Sequence, residues 1–343
     1  MCFFRLTDIP FECILYDDNI IYDNFPEITI VIPLIKFDET LSGRETLVLG
    51  LGVFDGVHLG HRRIMAELQE MAVRCNAIPA AVTFYPHPRA VLCPDDPPQL
   101  LLPLEERLRL LRNAGARLTG VIDFTQEFSC VEAEDFLNHL LNDSGFRLAG
   151  ICVGSRWRFG RGGLGDRELI SRFAAEKKIE FSPCQELVIG GETVSSSAVR
   201  RSTAAGYLEH ARAMLGRAVR VFGKVRHGNQ VAGSVLSAPT ANLDITCGVL
   251  PPDGVYSGRV KVGSCWYPAA VNIGFSPTFQ VNRRRVEAHL LDFSGSLYGE
   301  ELELELLNFL RKEQTFPSPE ELMKQIKLDI ARVRKDFENE RAQ

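Results

Sequence analysis

Apolar positions run together at residues 47–51, Leu-Val-Leu-Gly-Leu, whereas Ile64, Met65, Leu68 and Met71 recur at three- and four-residue steps. The run predicts the end of a buried strand and the recurrence an amphipathic helix. Between them Gly52, Gly56 and Gly60 follow Gly50 closely, which suits a backbone that turns tightly beside a ligand. Similar apolar runs at 78–84, 121–124 and 148–153 alternate with helical patterns at 103–111 and 133–141. Between residue 46 and about 201 this alternation predicts a parallel sheet covered by helices. The helix over 103–111 is expected to turn Glu105, Glu106, Arg107 and Arg109 to solvent. After the run 187–189, Gly190-Gly191 reads as a hairpin turn, and 206–215 as a short helix with Leu208, Ala211 and Leu215 on one face.

From Ala218 the texture changes. Short alternating strands at 219–225, 254–262, 266–273, 286–293 and 301–309, separated by Gly, Pro and Asn, predict a small barrel or sandwich. Residues 318–337 close the chain with Leu322, Ile326, Ile330, Val333 and Phe337 at helical spacing, and Ser318, Pro319 and Glu321 suit a helix start. That helix is expected to pack its apolar stripe on the second domain. At the other end, the β-branched stretch 28–35 suits an edge strand, because Pro33 lacks a ladder donor. The rest of residues 1–45 reads as an extension. No internal repeat connects the halves.

With 343 residues the chain has room for two domains. A net charge of −5 argues against a nucleic-acid binder, so a polyphosphate ligand would be held by local groups and a metal. Nine cysteines without C-x-x-C pairs suit reduced thiols and a cytoplasmic location. No apolar run approaches a membrane span, and the N-terminus lacks the features of a secretory leader.

The candidate chemistry begins at the first glycine turn. A strand, a glycine-rich turn and a helix N-terminus form an anion site, since free N–H groups and the helix dipole face the ligand. Here the turn also carries His58 and His61. Two imidazoles there can stabilise charge developing on phosphorus. A histidine metal pair would need a third ligand, and no nearby Cys or His has the spacing. Pro86-His87-Pro88 makes a stiff loop at a strand's C-terminal end, either a rigid turn with an incidental histidine or a ligand contact where open α/β sheets bind. Arg156, Arg158 and Arg161 lie among glycines and aromatics in the loop 154–163, either gripping phosphate and stacking on a planar ring or solvated. Ser195, Ser196 and Ser197 begin a helix that also carries Arg200; one hydroxyl is needed as a cap, and the others could bind polyphosphate. In the second half, Pro239-Thr240-Ala241-Asn242 reads as a polar loop, either an ordinary turn or a source of hard oxygen ligands suited to Mg²⁺. Glu287 and His289 share one strand face, where a carboxylate at a barrel mouth could act as general base, or merely form the solvated face of an edge strand.

G-x-F-D-G-x-H-x-G-H resembles the nucleotidyltransferase superfamily. Together with the P-H-P loop, R-F-G-x-G and S-S-S-x-x-R, it is similar to the prokaryotic bifunctional riboflavin kinase/FAD synthetase family. G-K-V-R-H-G, P-T-A-N, N-I-G-F-S-P-T-F, V-E-A-H-L-L-D-F, L-Y-G and F-L-R-K-E follow in the order of that family's flavokinase module. The resemblance implies a Rossmann-like α/β nucleotidyltransferase domain, then a six-stranded antiparallel β-barrel kinase domain with a C-terminal helix. It implies an extension over 1–45, an FMN adenylyltransferase domain over 46–203, a helical linker over 204–216 and a riboflavin kinase domain over 217–343. ATP, riboflavin and FMN would be the partners, FAD the product and Mg²⁺ the cofactor, in a monomer or loose homo-oligomer without nucleic acid or membrane. His58 and His61 would hold the α-phosphate region, and Ser196, Ser197 and Arg200 the ATP phosphates. Gly52, Phe54, Asp55 and Gly60 would complete the nucleotide turn. Pro86, Pro88 and Arg158 would border the flavin. Gly223 would belong to the kinase nucleotide site, Thr240 and Asn242 would coordinate Mg²⁺-ATP, and Glu287 would activate the 5′-hydroxyl of riboflavin. The chain departs from the family at Val53, often Asn, at Arg156, often a smaller acid or amide, and at Ala198, often Arg. Ser234, Ser237 and Ala238 replace a common Arg, Gly and aromatic before P-T-A-N. An FAD synthetase with an impaired kinase, and a flavin-binding regulator without catalysis, are the alternative readings.

Overall fold

The computed structural model describes residues 15–16, 19–20, 35–142, 145–226, 240–275 and 284–341. Its contacts divide into two compact units, one of residues up to 53, 64–97 and 115–185, the other of 54–63, 98–114 and 186–343. Near the start, β1 (Leu15–Tyr16) and β2 (Asn19–Ile20) pair antiparallel. The edge strand expected over 28–35 falls, but for Ile35, outside the described residues.

In the first unit the chain forms β3 (Lys36–Phe37), β4 (Thr46–Leu51), β5 (Ile78–Tyr85), β6 (Leu118–Asp123), β7 (Arg147–Gly154) and β8 (Glu180–Cys184). They lie side by side in the order β3-β6-β5-β4-β7-β8. All neighbours run parallel except the short edge strand β3, which is antiparallel to β6. Buried on both faces, β4 needs the near-continuous apolar run that marks it in the sequence. The helix α1 (Leu59–Cys75) buries Ile64, Met65, Leu68, Met71 and Ala72. A Cβ at Gly50 would come within 3.1 Å of both Leu68 and Met65, so this glycine lets α1 close on β4. The unit is completed by α2 (Pro88–Leu92), α4 (Gln126–Ser129), α5 (Ala133–Asn142) and α6 (Arg167–Lys177). α6 starts where the Asp166 carboxylate accepts from the Glu168 and Leu169 N–H groups.

In the second unit, α3 (Leu104–Asn113) precedes the hairpin of β9 (Val188–Ile189) and β10 (Glu192–Thr193), then α7 (Ser196–Ala204) and α8 (Leu208–Leu215). β11 (Val219–Arg226), β12 (Thr240–Cys247), β13 (Gly254–Val262), β14 (Cys265–Phe275), β15 (Arg284–Leu290) and β16 (Glu301–Arg311) follow. They close a barrel in the order β11-β12-β15-β14-β13-β16, with every pairing antiparallel. The choice between barrel and sandwich is thereby decided. Alternate residues Ala241, Leu243, Val271, Ile273, Val286, Ala288 and Leu290 are buried in its interior. The final helix α9 (Pro319–Arg341) packs on β13, β14 and β16 as expected, with Val333 buried and Arg311 paired to Asp329 at 3.0 Å.

Two expectations need correction. Thr240-Ala241-Asn242 is not a loop but the first part of β12, held between β11 and β15. Of the four charged side chains expected in solvent on α3, Glu105 and Arg109 are exposed, whereas Arg107 is wholly buried and Glu106 nearly so. Glu106 bonds Arg109 and, at 2.5 Å, Arg220 of β11; Arg220 in turn meets Glu303 and Glu305. A helix read alone assigns its charges to water; this one meets its partner charge far along the chain.

Candidate active sites

The turn after β4 is built around left-handed backbone. Phe54, Gly56 and Val57 have φ of 52°, 82° and 38°. For a β-branched valine that region is an outlier, so surrounding bonds must hold it. The buried Asp55 carboxylate supplies several. It accepts from the Leu101 N–H at 3.1 Å and the Leu102 N–H at 3.3 Å, and pairs with Arg200 Nη2 at 2.6 Å. Ser196 Oγ donates to the Asp55 carbonyl at 2.7 Å, and Ser195 caps α7 by accepting from the Ala198 N–H at 3.2 Å. Of the three serines, therefore, one is a cap, one secures the turn, and Ser197 stays exposed. Arg200, which also donates to the Gln99 carbonyl, is committed to Asp55.

His58 and His61 come together at the start of α1, their rings stacked 3.6 Å apart and 19° from parallel. The edge of Phe54 meets His61 at 5.2 Å. Gly60 leaves room for this fold-back, since a Cβ there would lie 3.1 Å from His58 Nδ1. His58 Nδ1 accepts the His61 backbone N–H at 3.3 Å, which places the proton of a neutral ring on Nε2, a donor for an anionic oxygen. Among the described residues, the buried His61 Nδ1 has no partner. Burial, then the nearby Arg217, pushes His58 down to about 3, and burial and His58 push His61 well below the ordinary histidine value. Both rings are neutral at pH 7. Their chemistry is that of polar donors rather than fixed cations.

This burial links folding to pH. Because the folded values lie below the unfolded ones, protons favour the unfolded chain whenever pH falls under about 6.5. The histidines' contribution is complete above that pH and fades toward His58's folded value of about 3, at about 1.4 kcal/mol per pH unit for each ring. Denaturant titrations from pH 6.5 to 5 should show a slope shallower by about that amount in His58→Asn. Equal slopes would refute the buried neutral state.

In the first unit, a cavity of about 410 Å³ is lined by Phe84, Phe124, Phe128, Phe136, Trp157 and Phe159, with Val53, Pro88 and Arg158 among its other walls. Trp157 and Phe159 stack at 4.7 Å and 10°. Sequence reasoning brought Pro88, Arg158 and Val53 into view but missed this aromatic box. A signal existed: Phe84, Phe124 and Trp157 sit at or just beyond the C-terminal ends of the parallel strands β5, β6 and β7, where such sheets bind ligands. Pro86 does not line the cavity, and His87 caps α2 through Nδ1, which accepts the Arg89 N–H at 3.1 Å.

A second cavity, about 300 Å³, lies in the other unit between the outer wall of the barrel and α9. Thr240, Asn272, Glu287 and His289 line it from the barrel wall, Val255, Phe316, Leu322, Ile326 and Ile330 give it an apolar side, and Arg311, Glu313, Gln314 and Asp329 also reach it. Glu287 therefore lies neither at the barrel mouth nor on an edge strand. Its strand β15 is flanked by β12 and β14, and its side chain alternates with the buried Val286 and Ala288. Across the ladder Glu287 opposes Asn242 on one side and Asn272 on the other, while Thr240 opposes His289, with Oγ1 and Nδ1 3.5 Å apart. Thr240 and Asn242, two residues apart, share the face of Glu287. Burial lowers His289's proton affinity. Asn272 opens the N-I-G-F-S-P-T-F motif but was given no role from the sequence. Its Nδ2 donates to Glu313 at 2.9 Å, which turns the other way a buried Oδ1 that has no partner among the described residues. Gly223 lines neither cavity; it sits at a bulge where a Cβ would meet the Asp244 carbonyl at 2.9 Å. The altered Ser234, Ser237 and Ala238 lie outside the described residues.

Residues 41–198 match the family described as FAD synthetase, and residues 215–337 the family described as riboflavin kinase. The bifunctional riboflavin kinase/FMN adenylyltransferase of Escherichia coli K12 is 35% identical over 295 residues, 86% of this chain and 94% of that protein. Its namesake in Pseudomonas fluorescens is 33% identical, covering 84% and 92%, and that of Bacillus subtilis 29% identical, covering 89% and 96%. A crystal structure titled as a macrolide-efflux protein from Streptococcus pneumoniae superimposes with a TM-score of 0.76 at 26% identity, over 87% and 96% of the two chains. Among the described residues, no helix of this chain is long and apolar enough to cross a membrane.

Proposed function

The chain belongs to the bifunctional riboflavin kinase/FMN adenylyltransferase family, and we propose that it divides two flavin reactions between the sites described above. It phosphorylates riboflavin to FMN with ATP and adenylylates FMN to FAD with release of pyrophosphate. Residues 217–343 would perform the first reaction and 46–203 the second, with 204–216 as linker; the family matches at 215–337 and 41–198 support that division.

One observation carries the kinase reading. Glu287 lines the second cavity with Thr240 and with Asn272, whose Oδ1 has no partner among the described residues, opposite an apolar side, and Asn242 lies next to Glu287 across the ladder. Glu287 would accept the proton of the ribityl 5′-hydroxyl as that oxygen attacks the γ-phosphorus. Asn272 Oδ1 would accept a hydrogen bond from the same chain of hydroxyls, and the apolar side would cover the flavin ring. Thr240 and Asn242 offer neutral hard oxygens, a donor set that fits Mg²⁺ on a triphosphate. Bound there, the ion would neutralise charge on the phosphates.

In adenylylation, the phosphate oxygen of FMN attacks the α-phosphorus of ATP. His58 Nε2–H and the free N–H groups of α1 would stabilise the charge that gathers on the α-phosphate oxygens. Asp55 and Arg200 would hold the turn that presents them. Ser197 would reach the phosphates. The aromatic cavity would take the isoalloxazine ring, with Pro88 and Arg158 at its border. Trp157→Ala should raise the KM for FMN about 5- to 30-fold and leave riboflavin phosphorylation alone; an unchanged KM would remove the ring from this cavity. A cytoplasmic monomer or loose homo-oligomer, acting without nucleic acid or membrane, fits the net charge of −5 and the free thiols among the described residues.

The test is a time course with riboflavin, ATP and Mg²⁺ in which riboflavin, FMN and FAD are separated. FMN rising before FAD supports both activities. Untouched riboflavin, with FAD formed only when FMN is supplied, would leave an FAD synthetase alone. No product from either flavin would leave a binding protein.

A further inference from the structure

Arg217 stands at the step from α8 into β11, within the stretch matched by the riboflavin kinase family. Its side chain nevertheless serves the turn before His58. Nη2 donates to the Gly56 carbonyl, and Nη1 to the carbonyls of Val57 at 3.2 Å and Leu215 at 3.4 Å. Gly56 and Val57 are two of the left-handed residues of that turn, and the Val57 carbonyl belongs to the peptide that leads into His58. The preceding residue joins in. Gly216, with φ of 66°, brings the backbone so close to α1 that a Cβ would stand 2.6 Å from Leu59 Cδ2.

The arrangement is costly for stability alone. Burial and the neighbouring Arg220 and Arg62 draw the Arg217 guanidinium down to about 9, still a cation at neutral pH. Among the described residues, the buried Nε has no acceptor. The bonds shown are to neutral carbonyls rather than to a carboxylate, the partner that best offsets a buried charge. What the fork does supply is geometry: two parallel donors fix two successive carbonyls of a strained turn.

We propose that Arg217 is a positioning residue for FMN adenylylation, a clasp carried on the step into the kinase barrel that fixes the turn aiming His58. The proposal rests on His58 and His61 being the phosphate-facing pair of that reaction. Without the clasp, the turn relaxes toward ordinary backbone angles and the His58 donor moves off line. A misplacement of about 1 Å costs on the order of 100-fold in rate.

The test compares Arg217→Met and Arg217→Lys in the full chain, assaying FMN adenylylation and riboflavin phosphorylation separately. Arg217→Met should lower the kcat of adenylylation at least about 30-fold while the KM for FMN and the kinase rate stay within about 2-fold. Lysine keeps the charge but loses the fork, so Arg217→Lys should fall between wild type and Arg217→Met. Were Arg217→Met not to fold, Arg217→Lys decides alone: a loss of about 5-fold in adenylylation kcat with an intact kinase supports the clasp, and a wild-type kcat overturns it. Equal loss of both activities would also overturn it, as general destabilisation. Adenylylation that survives His58→Ala with His61→Ala would instead sink the reading of the histidine pair. Adenylylation lost there but normal in Arg217→Met would sink the clasp alone.

Discussion

Glu287→Gln should stop FMN formation from riboflavin, lowering the rate about 10²- to 10⁴-fold, while conversion of supplied FMN to FAD continues unchanged. The substitution keeps the shape of the side chain and removes only its capacity to take a proton. Its surroundings make this a clean change. β15 is locked between β12 and β14, and Val286 and Ala288 anchor its inner face in the barrel. A glutamine therefore keeps its place on the wall beside Thr240 and Asn272. The KM for riboflavin should barely move, because the apolar side of the cavity is intact, so the loss belongs to kcat. Equal loss of both activities would contradict the division of labour between the sites.

The second large effect is the mirror image. Replacing His58 and His61 by alanine should lower FMN adenylylation about 10²- to 10³-fold and leave riboflavin phosphorylation in place. His58 contributes a donor whose proton is fixed on Nε2 by its own bond to the His61 N–H, and His61 backs it through the 3.6 Å stack. The two act as a unit, so the double variant should be little worse than His58→Ala. A product analysis with FMN and ATP reads this directly. Independent, multiplying losses would mean that each imidazole has a separate role.

Where an element's signal is local, the sequence is readable. Leu47 to Leu51 and the periodicity from Ile64 mark β4 and α1, because burial on both strand faces and on one helix stripe leaves those patterns. The histidine pair is equally visible, since both rings belong to one turn. What escapes is whatever depends on distant partners. Glu106 looks solvated until Arg220, 114 residues on, is placed against it. The six aromatics of the first cavity are spread from Phe84 to Phe159, over strand ends, helices and the loop 154–163, and nothing local in the sequence joins them. Thr240-Ala241-Asn242 looks like a turn because proline precedes it and its strand character comes from Leu243 and Ile245 further on. Alternation puts Glu287 and His289 on one face, but only closure of the barrel and the packing of α9 show that the face is an outer wall.

The central claim is that two separate sites in one chain act in sequence, and mixing two variants tests it most directly. Glu287→Gln cannot make FMN, and His58→Ala with His61→Ala cannot use it. With riboflavin, ATP and Mg²⁺, neither protein alone should yield FAD. Mixed in equal amounts they should: FMN made by one diffuses to the other and FAD accumulates after a lag. A mixture that makes no FAD, although each protein retains its single activity on the appropriate flavin, would contradict the account.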